Sequence, residues 1–411
     1  MSERLIVFLV GAIQFVNVLD FMMVMPLGPD FARALGISPA HLGLVVGSYT
    51  AAAAVAGVLG ALFLDRFDRR KALAVALFGL CAGTALGALA HGLPSLVFAR
   101  LVAGAFGGPA TSVALSIIAD VVPPERRGRA MGAVRGAFSV ASVLGVPFGL
   151  WLAGRGGWRA PFVAVAGLGV VVGVISLRAM PSLREHVVAG EGTSARWRRL
   201  GHLLGDRLVR LSLAMNALVM LSAFLVVPNI SAFIQQNLGY PRADLDFLYM
   251  VGGALSFFVM LIAGRATDRF GAAWAGGVGT AILVVVVAIW FVSPTPLGSH
   301  AVLALFVTFM ASMSVRNVSM STLATRVPRF DQRAGYMSLQ STAQHVASSA
   351  GAVVSARLLS DGPDGRLDGM PAVAALAAVL ALALPPLLAV IDRVVRAREA
   401  AARAATTPAG G

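Results

Sequence analysis

Cysteine is almost missing from this chain: Cys81 is the only one in 411 residues. No internal disulfide can form, and a multi-cysteine metal or redox centre is excluded. Cys81 lies inside an apolar run and reads as a small core residue. Lysine is equally scarce, with Lys71 alone among arginines, which we read as codon bias and not as chemistry. Charge is the third shortage. Only 13% of residues are charged, against about 25% in ordinary soluble domains. The six histidines show no metal-ligand spacing, and no glycine-rich phosphate loop with its lysine is present. No enzyme constellation appears, no metal or other cofactor is called for, and the expected energy source is an ion gradient and not ATP.

What the chain has instead is apolar: 58% of its residues are hydrophobic and the mean hydropathy is +0.82. A water-soluble fold of this length could not hide that surface, so the solvent must be a bilayer. The formal charge of +14 does not point to nucleic acid, because the basic residues fall in short clusters between apolar runs. A membrane span needs about 20 apolar residues. Twelve candidates follow: 5–25, 42–64, 72–90, 96–118, 130–152, 162–177, 211–234, 247–266, 273–292, 301–323, 336–358 and 373–391. The first lacks a small-residue cleavage site and reads as a span, not a signal peptide. The sixth is short as drawn. Most loop arginines follow even-numbered spans, so both termini are expected in the cytoplasm of an inner-membrane protein. The polar stretch 181–210 is expected to be a cytoplasmic linker between bundles 1–180 and 211–392. An amphipathic helix near Trp197–Leu204 would lie along anionic lipid, and 393–411 would form a cytoplasmic tail.

The two halves repeat. Leu62–Leu73 after span two and Gly264–Ala275 after span eight both carry Asp-Arg-Phe, at Asp65 and Asp268. Two six-span units with a central loop make the duplication pattern of a secondary transporter. With these motifs the chain resembles the major facilitator superfamily, and within it the twelve-span drug:proton antiporters and arabinose-efflux-like permeases. That resemblance implies an all-α membrane fold of twelve transmembrane helices in two pseudo-symmetric six-helix bundles. The family's loop signature after span two is Gly-x-x-x-Asp-Arg-x-Gly-Arg-Lys. Here Asp65, Arg66 and Arg69 match, while Ala61 and Asp68 stand where the family has glycine. The second copy keeps Gly264, Asp268, Arg269 and Gly271. The family uses this loop as a cytoplasmic latch, with Asp65 at the N-terminus of a neighbouring helix, here span eleven, and Arg69 against Asp120. The plain alternative is a basic turn. In span four Arg100 is followed by Gly104, as in the family. In span five Gly145, Pro147 and Gly149 resemble the antiporter-type bend, with Val146 intervening, and Gly157–Phe162 follows.

The buried polar residues are few. A charge at mid-bilayer costs roughly 2.5–3.5 kcal/mol on the insertion scale, so each needs a reason. Asp20 is the only acidic residue deep in a span. It lies six residues before Pro26, and Arg100 six residues after Pro94, so both sit about 9 Å inside the same boundary. Matched depth predicts an Asp20–Arg100 pair, either a proton-coupling site or a static packing pair. Gln14 and Asn17 precede Asp20 at three-residue steps and should face the central cavity with it. Arg135, near the end of span five, reads as structural. In the second half Arg316, Gln340, Gln344, His345 and Ser348 form a polar cluster, either a substrate site or a packing network. Pro228 and Asn229 sit within span seven, where proline frees a carbonyl and marks a bend or gate. The expectation is a monomeric, proton-coupled exporter of a small amphipathic, drug-like or sugar-like compound. Its partners would be that substrate, protons and membrane lipid. The alternatives are a facilitator or importer of the same fold, or a membrane sensor that transports nothing.

Overall fold

A long apolar run in lipid satisfies its backbone polar groups by forming a helix, and the computed structural model is helical nearly throughout. It describes residues 2–64, 67–183, 198, 201–292, 297–328, 332–362 and 365–406. Span one is Glu3–Met23, two is Leu42–Phe63, three is Arg69–Ala88 and four is Leu93–Val121. Span five runs in pieces from Pro124–Arg135 to Val146–Gly156, and span six is Arg159–Ala179, longer than its apolar core. Span seven is Arg207–Val226 with a continuation Ile230–Gln236, eight is Leu245–Phe270 and nine is Ala272–Val292. Span ten is Ser299–Arg326 and eleven is Arg333–Leu358. Span twelve is Met370–Leu382, continued by Leu384–Thr406. The boundary expected at 211 therefore falls inside span seven, and the tail expected from 393 is helical through Thr406. Within the expected amphipathic helix near Trp197–Leu204, residues 198 and 201–204 are described and are helical; the others lie outside the described residues.

Eleven of these helices are long and apolar enough to cross a membrane. Span eleven is long enough but too rich in Ser, Thr, Gln and His to join them. It is sheltered, packing along span two on one side and span seven on the other. Spans five and eight make the second contact between halves. A repeat that maps span two onto eight and five onto eleven makes these two contacts equivalent, which gives the assembly its pseudo-twofold character. Outward faces carry exposed Phe8, Val75 and Phe258, as lipid-facing helices do.

The interruptions follow from proline. Pro147 has no N–H to give the preceding turn, and span five widens into a π-turn over Ala141–Gly145. Gly145 of that turn lies against Leu19 and Phe15 of span one, and Gly253 of span eight against Ser142 and Val143. Pro228 sits in the 3-10 turn Val227–Asn229 that breaks span seven. Pro385 and Pro386 follow the break in span twelve.

The even number of spans brings the start of span one at Glu3 and the end of span twelve at Thr406 to one face, called here the terminal face; the opposite one is the distal face. On the terminal face Asp68 replaces the family's glycine and caps span three by accepting from Arg70 N at 2.9 Å. Its backbone is at φ −54°, ψ 121°, so no glycine is needed there. Asp68 also accepts from Ser182 Oγ at 2.6 Å and Leu183 N at 3.1 Å, tying the loop to the end of span six. Burial pushes its carboxyl upward, but these hydrogen bonds outweigh that and hold it below the usual carboxylate range.

On the distal face the halves are fastened together. Arg242 donates to both Asp30 oxygens, at 2.6–2.8 Å, and to Leu150 O at 3.5 Å. Ser231 Oγ donates to Pro26 O at 3.0 Å, and Ala40 N to Asp361 Oδ1 at 3.3 Å. Asp361 belongs to a two-stranded antiparallel hairpin, Ser360–Asp361 with Leu367–Asp368, and Asn237 clamps Leu367 through both backbone groups.

Candidate functional site

Two polar centres are built inside the helices, one per half. In the first, span one brings Asp20 to Arg100 of span four. Arg100 Nη1 lies 2.9 and 3.1 Å from the two carboxylate oxygens, and Thr84 Oγ1 of span three donates to Oδ1 at 2.7 Å. Asp20 is 0% exposed and Arg100 1%, so the matched-depth pairing is realised and water is excluded from it. A buried ion pair of this kind is worth little over an apolar replacement, but removing one partner costs about 3–5 kcal/mol.

Tyr49 of span two completes this centre, and its role was not legible in the sequence. The Arg100 guanidinium carbon lies 4.5 Å from the centroid of its ring. The Tyr49 hydroxyl donates to Asn17 Oδ1 at 2.9 Å. Asn17 Nδ2 donates in turn to Gly107 O at 2.9 Å and Thr111 Oγ1 at 2.8 Å, and Gln14 reaches Thr111 at 3.4 Å. The stripe Gln14–Asn17–Asp20 thus turns away from lipid, as expected, but spends its polar groups on spans two, three and four. A side chain at Gly104 would run into the backbone of Tyr49. The glycine after Arg100 is what lets span two come close enough to put its ring under the guanidinium.

The second centre is organised around Asn216 of span seven, which sequence reasoning also missed. Gln340 and Gln344 of span eleven both donate to Asn216 Oδ1, at 2.8 and 3.0 Å, while Asn216 Nδ2 donates to Ser212 O at 2.8 Å. Ser348 Oγ donates to Gln344 O at 2.8 Å. Arg316 is 0% exposed. It donates to Ser222 Oγ at 3.1 Å and lies 3.7 Å from the Met313 sulfur. Its Nε has no partner, and among the described residues no carboxylate pairs with it. Asn229 donates to Ser355 Oγ at 2.8 Å, closing the break in span seven against span eleven.

Between the halves, toward the terminal face, lies a narrow cleft of about 10 Å³, room for about one water. Gly57 and Ala53 of span two, Gly108 and Ser112 of span four, and Ser338, Ser341, Thr342 and His345 of span eleven line it. Of the residues expected in a cavity only His345 reaches it; the others serve the two networks beside it. The spacing 338, 341, 342, 345 marks one helical face, and that pattern could have been read in advance.

Among the latch residues, Arg69 Nε lies 2.9 Å from Asp120 Oδ2. Asp65 and Arg66 lie outside the described residues, as does the Arg135 side chain. Asp268 is exposed and lines a groove with Arg326 and Arg396, while Arg269 stands over the Phe270 ring at 5.2 Å.

Against known proteins, the sequence model described as Major Facilitator Superfamily matches residues 10–352. A chloramphenicol resistance protein of Streptomyces lividans is 31% identical over 90% of this chain and 93% of its own. A chloramphenicol efflux pump of Mycobacterium tuberculosis is 26% identical over 60% of this chain and 59% of its own. Among solved structures, a nucleoside transporter superposes with a TM-score of 0.71 at 12% identity, covering 94% of this chain and 99% of that one, a likeness of fold alone.

Proposed function

The chain belongs to the major facilitator superfamily, and from that premise we propose that it exports a small, uncharged, amphipathic compound of the chloramphenicol kind in exchange for protons. It is a multi-pass membrane transporter of small molecules and not an enzyme. The observation that carries the finer reading is Asp20: a lone acidic group deep in a span, fully buried, held by a single arginine and one hydroxyl. A proton and Arg100 are alternative partners for that carboxylate. As the halves rock, exchange of one partner for the other links proton movement to access. On this reading the terminal face is cytoplasmic, the membrane is the inner one, the chain works as a monomer, and Asp65, Arg66, Arg69, Asp120, Asp268 and Arg269 form the cytoplasmic latch.

The names of the relatives support export of chloramphenicol. The gap between the halves has room for about one water in this conformation; widened as the halves part, its lining of hydroxyls and one imidazole would offer hydrogen bonds to a neutral ligand. Arg316, buried in the second polar centre with no carboxylate partner among the described residues, disfavours cations, since a fixed positive charge acts strongly in a low-dielectric interior.

The test uses everted vesicles energised by a proton gradient, with chloramphenicol and a lipophilic cation as paired substrates. Chloramphenicol uptake should depend on the gradient and exceed that of the cation. Asp20→Asn keeps the size and removes the titration. It should abolish gradient-driven uptake while downhill exchange of labelled for unlabelled substrate continues. Uphill transport by Asp20→Asn with unchanged pH dependence would remove Asp20 from this role, and transport indifferent to the gradient would leave a facilitator.

A further inference from the structure

We propose that Tyr49 is the positioning residue that carries the state of the Asp20–Arg100 pair to the contact between the two halves; this rests on the proton-coupling reading above. Arg100 cannot stay buried without a partner at small cost. When Asp20 takes up a proton, the guanidinium loses its counter-charge, and what remains in place is the Tyr49 ring face, 4.5 Å away. Cation–π contacts stabilise by about 0.5–2 kcal/mol, more when desolvated. The ring is therefore a resting place for Arg100 in the protonated state. It is held from both ends. Asn17 fixes the hydroxyl, and span four reaches the tyrosine backbone through Gly104.

The other neighbour of that ring is Phe21, the residue after Asp20, with centroids 5.1 Å apart. Phe21 stacks on Phe224 of span seven at 6.0 Å and 25° between planes. Phe224 belongs to the other half. Arg100 already stands over the ring while paired with Asp20; loss of the counter-charge draws it closer onto that face, and this presses on a continuous series of rings that crosses the interface near the distal face. Interfaces packed this closely move between discrete arrangements and do not deform smoothly.

The titratable and charged groups around Asp20 are Arg100 from span four, Tyr49 from span two and Cys81 from span three. The neighbouring faces of spans five and six bring Gly145 and Gly169 against span one. None of these supplies a second ring or a second anion for Arg100.

The test compares Tyr49→Phe, which keeps the ring, with Tyr49→Leu, which removes it. Proton-driven chloramphenicol uptake and downhill exchange are both measured across pH in everted vesicles. Tyr49→Leu should lose about tenfold of the driven uptake, and its half-maximal pH should fall by about half a unit or more. Exchange should stay within about twofold, and Tyr49→Phe should restore most of the driven uptake. A wild-type pH profile in Tyr49→Leu overturns the proposal, and so does an equal loss of driven uptake and exchange. If Tyr49→Leu does not reach the membrane, Phe224→Leu decides. It should lower driven uptake without moving the half-maximal pH, and normal driven uptake in that variant overturns the proposal. Asp20→Asn run beside them separates the two readings. If it too keeps driven uptake, proton coupling at Asp20 fails; if it loses uptake while the Tyr49 variants keep theirs, only the role of Tyr49 fails.

Discussion

Arg100 and Asp20 each depend on the other to stay buried, and this makes their separate removal unequal to their joint removal. Arg100→Leu leaves a carboxylate with only Thr84 as partner and should cost about 3–5 kcal/mol. Adding Asp20→Asn removes the stranded charge and should recover most of that loss. Thermal unfolding in detergent of the two single variants and the double gives the coupling. If Arg100→Leu and the double variant unfold at the same temperature, the pair is not carrying opposite charges. Asp68 makes the corresponding statement about pH on the terminal face. Its folded carboxyl sits below its ordinary value. The stability it adds is therefore full above about pH 4, the unfolded value, and is lost as pH falls through the lowered folded one. Acidification should weaken the tie between the span two–three loop and Ser182. The unfolding temperature of Asp68→Asn should change less between pH 5 and pH 3 than that of the unaltered chain.

At the scale of elements, the distal face is a seam whose parts come from different halves. Arg242 lies just before span eight and Asp30 follows span one. On the export reading proposed above this seam has to open, so its bonds set how often it does. Arg242→Gln removes a bidentate, charge-assisted pair and should raise opening about tenfold, equivalent to about 1.4 kcal/mol. A cysteine placed at Ser231, in a Cys81→Ala background, should then be labelled faster by an impermeant thiol reagent; unchanged labelling would mean the seam is held elsewhere. None of this seam was legible in the sequence. Asp30, Arg242 and Asp361 are unremarkable loop residues until the fold brings the loops together. The Asp20–Arg100 pair was legible because helices are rigid rulers, so that counting from Pro26 and Pro94 gives depth. Tyr49 and Asn216 escaped notice for the opposite reason. A tyrosine or an asparagine in an apolar run carries no charge whose burial demands explanation, and its partners are set by which helices touch. Asp68 looked like a lost glycine, because a signature reads the residue that is replaced and not the cap its replacement can form.

For the whole molecule, the two-bundle plan was legible from repeat and hydropathy together, while the continuation of the last helix to Thr406 was not. Its Arg326–Glu399 and Arg396–Asp392 pairs hold an amphipathic segment that apolar counting ends at 391. Span eleven has a bearing on how the chain is made. A helix with this many hydroxyl and amide groups does not partition from the insertion machinery into lipid unaided. Its resting place is protein: span two, made early, and span seven, made four spans before it. Insertion of this segment is therefore a folding event, completed only when the first half is already in the membrane and able to receive it. Fused alone into a host protein as a reporter segment, residues 333–358 should remain outside the bilayer, while the same residues in the full chain cross it. Glycosylation-site mapping on either side distinguishes the two states, and efficient insertion of the isolated segment would show that it needs no receiving partner. Substitutions in span two that disturb its contact with span eleven should consequently lower the yield of correctly threaded protein, through biosynthesis and ahead of any effect on transport.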